Sequence, residues 1–351
     1  MQSINTVDES GVIDHETFRY NRSTNEPLIK LSKKLSSFYN NNKVIITSSG
    51  MDAITTTILS IAIFRKWTNF NLIYSNELYC DTPRFISNFS ETYSKITTWP
   101  IDVEDCSNIE YLFDNHITKQ FNVLFVESCS NPNGKIIDWK IIDKLRLKSE
   151  KLIVIVDNTW LTHIVFNPFD YGADIVLFSM TKYYSGGTAI SGAIVFNNND
   201  LYDIAEKKKR FEGHHINPKV CDNISLMVDS MELRLENSYN LTIQIINCLS
   251  SDLIINYPRS ELFKKFGPSI FTIDIKIRLK KVQKILKKFI NDSTLPLITS
   301  FGSAHCKIDP WPTERCINNE YITTIRISVG YLDVSVNSVV SKINELLNML
   351  K

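Results

Sequence analysis

The sequence predicts an α/β protein: a large domain built on a mostly parallel sheet covered by helices, then a smaller C-terminal α+β domain. Three observations predict it. Short apolar runs alternate with helical stretches through the first two hundred residues, the signature of parallel strands joined by helical crossovers. After about residue 200 that alternation gives way to long helical segments and a second set of strand-like runs. The chain has 351 residues, 43% of them hydrophobic and 22% charged, which is enough to bury a full core.

Taken in order, residues 1–40 read as an extended arm followed by a short amphipathic helix, "LIKLSKKLSSF". The runs "KVIIT", "NLIYS", "NVLFVES", "LIVIVD", "DIVLFS" and "GAIVF" are short and bounded by polar or turn residues, as strands require. Between them, 51–65 and 138–148 carry helical spacing of apolar positions. Farther on, "SLMVDSMELRLENSYNLTIQIINCL" reads as one long helical stretch. The Gly-Pro pair in "KKFGPSI" separates it from the strand candidates "SIFTIDI" and "TTIRISV" and the helices "KKVQKILKKF" and "VNSVVSKINELLNML". The expected division is therefore 1–40 for the arm and its helix, 41–225 for the large domain, and 226–351 for a linking helix and the small domain.

Composition excludes several classes of function. A net charge of +1 argues against a dedicated nucleic-acid binder, and the lysine run in "AEKKKR" reads as a solvated helix face. The seven cysteines form no C-x-x-C pair, so neither a zinc ribbon nor a thioredoxin motif is on offer. The pair His214-His215 lacks a third nearby ligand, and no metal is expected. The N-terminus has no apolar signal core and no run approaches the length of a membrane span. The expectation is a cytoplasmic protein with reduced thiols and no membrane partner.

In an open parallel sheet, ligands bind beyond the carboxyl ends of the strands. Four strand ends carry suggestive residues. In "TSSGMDAI", Gly50 permits close backbone approach and Met51 begins a helix, whose free N–H groups suit a phosphate; plain helix capping is the alternative. In "LIVIVDNTW", Asp157 ends an apolar strand, where a carboxylate is costly without a partner; it either meets a cation or caps the next loop. "FVESCSNPNG" brings Asn131 to the same edge. In "DIVLFSMTKYYSGG", Lys182 stands beside Ser179 and Thr181. A lysine near a low-dielectric sheet edge loses its proton readily and attacks carbonyls, and the hydroxyls suit an anion. Asp157, Lys182 and a phosphate seat together match what pyridoxal 5'-phosphate requires: an amine to bind it, an acid at its ring nitrogen, and donors for its phosphate.

At this point the chain resembles the trans-sulfuration (Cys/Met metabolism) family of pyridoxal-phosphate enzymes, the cystathionine γ-synthase and γ-lyase group. "SSGMDAI", "ESCSNPNGK", "VDNTW", "GADIVLFSMTKY" and "RISVGYLD" stand in the family's order, from about Tyr20 to the C-terminus. The resemblance implies the aspartate-aminotransferase-like transferase fold (fold type I). It implies that Lys182 carries the cofactor as a Schiff base and then shuttles protons, and that Asp157 pairs with the ring nitrogen. Gly50, Met51, Ser179 and Thr181 would bind the phosphate, and Tyr79 would stack on the ring and assist proton transfer. Arg326 would fork onto the substrate α-carboxylate with help from Asn131. Tyr20 and Arg22 would reach the phosphate of a neighbouring subunit's cofactor, which implies a homodimer, doubled to a tetramer.

The pattern breaks in two places. Cys80-Asp81 stand after Tyr79 where small residues are usual, and Ala304-His305, in "SFGSAHCKIDPWP", stand where the family tends to carry Glu-Ser. His305 is a candidate substrate contact or proton carrier. The implied reaction is elimination or replacement at Cγ of an activated homoserine or a sulfur-containing amino acid. The alternatives are β-elimination from cystathionine or cysteine, a specialised substrate, or a cofactor-binding member without turnover that serves as an interaction partner.

Overall fold

The computed structural model describes residue 22 and residues 24–350, apart from 41, 118–120, 150 and 333; Tyr20 lies outside the described residues. Seven strands form the larger sheet: β1 (Lys43–Thr47), β2 (Phe70–Ser75), β3 (Ile96–Ile101), β4 (Phe121–Glu127), β5 (Leu152–Asp157), β6 (Ile175–Ser179) and β7 (Gly192–Phe196). Their order is β1-β7-β6-β5-β4-β2-β3. Only β7 is antiparallel to its neighbours, β1 and β6. The carboxyl ends of the other strands therefore lie along one edge.

The central strands are apolar runs because both of their faces are covered. Alternate residues feed opposite cores. Leu124, Val126, Val154, Val156, Val176 and Phe178 pack on one side with the helix Glu26–Phe38. Val123, Phe125, Ile155, Ile175 and Leu177 pack on the other against the helix Gly50–Phe64. The second sheet is antiparallel, ordered β10-β11-β9-β8 from β8 (Ile254–Asn256), β9 (Ile270–Ile275), β10 (Lys307–Ile317) and β11 (Glu320–Ser328). It shares a third core with the helices Leu279–Leu286 and Val336–Leu350. The expected α/β class, with a mostly parallel large sheet and a smaller C-terminal unit, is the observed one.

Three features differ from expectation for identifiable reasons. β10 carries Pro310 and Pro312 and does not read as a strand; it forms because it is an edge strand whose register shifts between Pro310 and Glu314. The long helical stretch is two helices, Pro218–Asp229 and Met231–Cys248, divided at Ser230. There Arg234 donates to the Met227 carbonyl (2.7 Å) and to the Tyr183 carbonyl (2.9 Å), diverting the first from the helical ladder. The lysine run is not wholly solvated either. Lys208 and Lys209 are buried on the helix Asn199–Glu212, where Glu212 and Glu206 neutralise them. Among the described residues no helix is long and apolar enough to cross a membrane.

Candidate active site

The sheet edge forms a cavity of about 260 Å³ that gathers Gly50, Met51, Tyr79, Asn131, Asp157, Ser179, Thr181 and Lys182. Its floor is set by the helix Gly50–Phe64. Ser49 caps that helix by accepting from the Asp52 N–H (3.0 Å), and the Ala53 N–H reaches the Ser49 carbonyl. The Gly50 and Met51 N–H groups are left as the open donors of the first turn, an anion seat by geometry. Gly50 is required there: a Cβ would stand 2.8 Å from Ser179 Cβ. Asp52 is pinned by the Ser48 N–H, the Ser48 and Thr56 hydroxyls, and His214 Nδ1 at 2.8 Å. His214 thus has a structural partner, and no group of three metal-ligating side chains occurs among the described residues.

Asp157 ends β5 and is buried. One of its oxygens accepts from the Thr159 N–H (2.9 Å) and hydroxyl (2.5 Å), and Thr159 Oγ1 in turn accepts from the Ser179 N–H. Its register partner on β4 is Glu127, a second buried carboxyl in the same cavity. Burial and then the Asp157 charge push Glu127 well above the carboxylate range; burial also raises Asp157, opposed by the two Thr159 hydrogen bonds. Two carboxyls buried side by side disfavour double ionisation, so the pair favours holding one proton between them. It also accepts from the Tyr79 N–H at 2.7 Å, fixing the backbone from which the Tyr79 ring hangs. Glu77 does the same for the neighbouring turn, accepting from Ser130 and Asn133 on either side of Asn131.

Lys182 is mostly buried, with Nζ 3.5 Å from Ser300 Oγ and 5.2 Å from the Phe301 ring centre. Burial, followed by Arg326 and Lys307, pulls its pKa down to about 8. A large share of the amine is then neutral near pH 8, the form that attacks an aldehyde. The loop carrying Ser300 lies directly on it: Gly302 has φ +73°, and a Cβ there would stand 2.7 Å from the Tyr183 nitrogen. Thr181 Oγ1 is engaged with Ser191, donating to its carbonyl (3.2 Å) and accepting from its N–H (3.1 Å).

Arg326 projects from β11, and each of its three guanidinium nitrogens makes one hydrogen bond. Nε and Nη2 donate to the two oxygens of Asp309 (3.2 and 2.9 Å), and Nη1 donates to Asn131 Oδ1 (3.1 Å). Sequence reasoning paired Arg326 with Asn131 and missed Asp309, although Asp309 lies in the "SFGSAHCKIDPWP" loop already singled out. Glu127, Thr159 and Phe301 were missed as well; only Glu127 carried a signal, as a polar residue closing the apolar run of β4. His305 is exposed and does not line the cavity. Burial and Asp81 raise the Cys80 thiol, in keeping with an unreactive cysteine. Arg22 donates to the Arg210 carbonyl (3.4 Å).

The model of the Cys/Met metabolism PLP-dependent enzyme family matches residues 3–331. The chain belongs to this family. It is 27% identical over 310 residues to a cystathionine β-lyase of Schizosaccharomyces pombe, covering 83% of this chain and 74% of the relative. It is 29% identical over 234 residues to an L-methionine γ-lyase of Fusobacterium nucleatum subsp. polymorphum, covering 66% and 55%. A Campylobacter jejuni structure described as an O-acetylhomoserine (thiol)-lyase superposes with a TM-score of 0.77 at 22% identity, covering 94% of this chain and 87% of that one. That structure carries a pyridoxyl-lysine phosphate, and its likeness establishes the fold.

The cavity fits the family's cofactor by its own chemistry. It offers an amine with a lowered pKa, a buried carboxylate with one oxygen left to meet a ring N–H, and an open helix start beside two hydroxyls. Because Lys182 reacts only when unprotonated, uptake of pyridoxal phosphate by the apoprotein should accelerate as pH rises through about 8, not near the 10.5 of a free lysine. Stopped-flow absorbance across pH 6.5–9.5 checks this, and a rate flat across pH 8 contradicts the placement.

Proposed function

We propose that the protein catalyses elimination or replacement at Cγ of an activated homoserine or a sulfur-containing amino acid. Bound in the cavity, pyridoxal phosphate supplies an electron sink for the bond broken at the substrate α-carbon. Asp157 holds the proton at the ring nitrogen, the Gly50–Met51 turn with Ser179 and Thr181 anchors the phosphate, and Tyr79 covers one face. Arg326 with Asn131 orients the substrate by its α-carboxylate. Lys182, freed when the substrate amine binds, would take the α-proton, pass it on and, neutral again, take a Cβ proton, so that a leaving group at Cγ can depart.

The observation that supports this reading is the setting of Lys182. It is a mostly buried amine with a lowered pKa, and no carboxylate forms an ion pair with it among the described residues, so it can accept protons in turn. Direct β-elimination from cystathionine or cysteine is a second reading, favoured by the yeast relative being named a cystathionine β-lyase. Incubation with O-acetylhomoserine, O-succinylhomoserine, cystathionine, methionine and cysteine, with products identified by mass, separates them. 2-Oxobutyrate or a new thioether supports Cγ chemistry; pyruvate supports β-elimination and overturns the first reading.

The site is proposed to be shared between subunits through Tyr20 and Arg22. Deleting residues 1–25 should then weaken both assembly and cofactor retention, read by light scattering and by cofactor absorbance after gel filtration. A fully loaded, fully assembled truncation would show that the arm is not shared.

A further inference from the structure

We propose that Lys307 supplies the net positive charge that a substrate α-carboxylate meets beside Arg326, because Asp309 already neutralises that arginine. The inference rests on the amino-acid-cofactor reading above and names a specificity residue within it. In the β10–β11 pair Lys307 stands opposite Ser328 and Asp309 opposite Arg326. Residues two apart on a strand share a face, so these four side chains project to one side of the small sheet.

That side faces Lys182. Ser328 Oγ donates to the Ser300 carbonyl (2.9 Å), and the Ser300 hydroxyl is the group 3.5 Å from Lys182 Nζ. Phe301 neighbours both cationic side chains, its ring centre 5.2 Å from Lys182 Nζ and 5.8 Å from the Arg326 guanidinium.

Arg326 and Asp309 are 4% and 3% exposed, and the carboxylate straddles the Nε–Nη2 side of the fork. A second anion approaching the remaining Nη edge meets a hydrogen-bonding plane whose charge is already cancelled. It is steered in angle and gains little Coulomb energy.

Lys307 is the counterpart. It is half-buried, it forms no ion pair among the described residues, and Asp309 acts on it through distance with no hydrogen bond between them. A half-buried lysine often just snorkels to water. Here it sits one position across the ladder from Ser328, within the field of Lys182, on the face that presents Arg326. Arg326 would then hold the carboxylate by directed hydrogen bonds, and Lys307 would add the Coulomb attraction that the neutralised arginine lacks.

The test uses cofactor-loaded protein titrated with L-norleucine, which carries the carboxylate but no Cγ leaving group, and with L-norleucinamide, which lacks the carboxylate. Binding is read from the change in cofactor absorbance. Lys307→Met should raise the Kd of L-norleucine about tenfold, roughly the worth of one charge contact, and leave that of L-norleucinamide unchanged; Lys307→Arg should restore the first. Asp309→Asn, which keeps the shape and frees the Arg326 charge, should tighten L-norleucine selectively. Loaded Lys307→Met protein with an unchanged L-norleucine to L-norleucinamide ratio overturns the inference and leaves the proposed function standing. Wild-type protein that takes up no cofactor overturns both.

Discussion

Lys182→Ala should give a folded, colourless protein whose turnover falls by at least ~10⁴-fold, because in the proposed function one amine both holds the cofactor and moves the protons. The substitution removes the only lysine among the cavity-lining residues. It also removes a cation that burial, Arg326 and Lys307 all disfavour, so the melting temperature of the apoprotein should not drop. Absorbance after dialysis against pyridoxal phosphate, with circular dichroism for the fold, checks both statements. A Lys182→Ala protein that stays yellow and active would move the chemistry elsewhere.

The second large effect is at Arg326. Arg326→Ala strands Asp309 as a buried carboxylate without its counter-ion, a change that costs about 3–5 kcal/mol of stability. Any loss of activity in that variant is therefore mixed with loss of fold. Arg326→Lys keeps the charge and loses the fork. It should bind amino-acid substrates more weakly by about 1–3 kcal/mol, as expected for hydrogen bonds to a charged group, while the cofactor spectrum is unchanged. Unaltered substrate binding in Arg326→Lys would take Arg326 out of substrate recognition.

Much of this site was legible because its residues break the rules of the elements that carry them. Lys182 and Asp157 end apolar runs that had no packing reason to end that way, and Gly50 opens a helix. Such local conflicts are visible in a single sequence. Partnerships made across strands were not visible. Glu127 beside Asp157 depends on parallel register between β4 and β5, and Asp309 on Arg326 depends on a ladder whose strand contains two prolines. The same proline-bearing loop drew attention to Ala304 and His305, yet the side chains it turns toward Arg326 and Lys182 are Asp309 and Lys307. The two sheets were readable from apolar runs, the edge strand β1 among them, whereas β3 and β10, which carry proline, and the three-residue β8 were not.

The central claim is that this cavity holds pyridoxal phosphate on Lys182. Reduction of the yellow protein with borohydride, digestion and peptide mass mapping tests it most directly. One pyridoxyl-phosphate mass increment per chain should be fixed on the peptide containing Lys182. A label on another lysine, or no label on protein dialysed against the cofactor, would contradict the account.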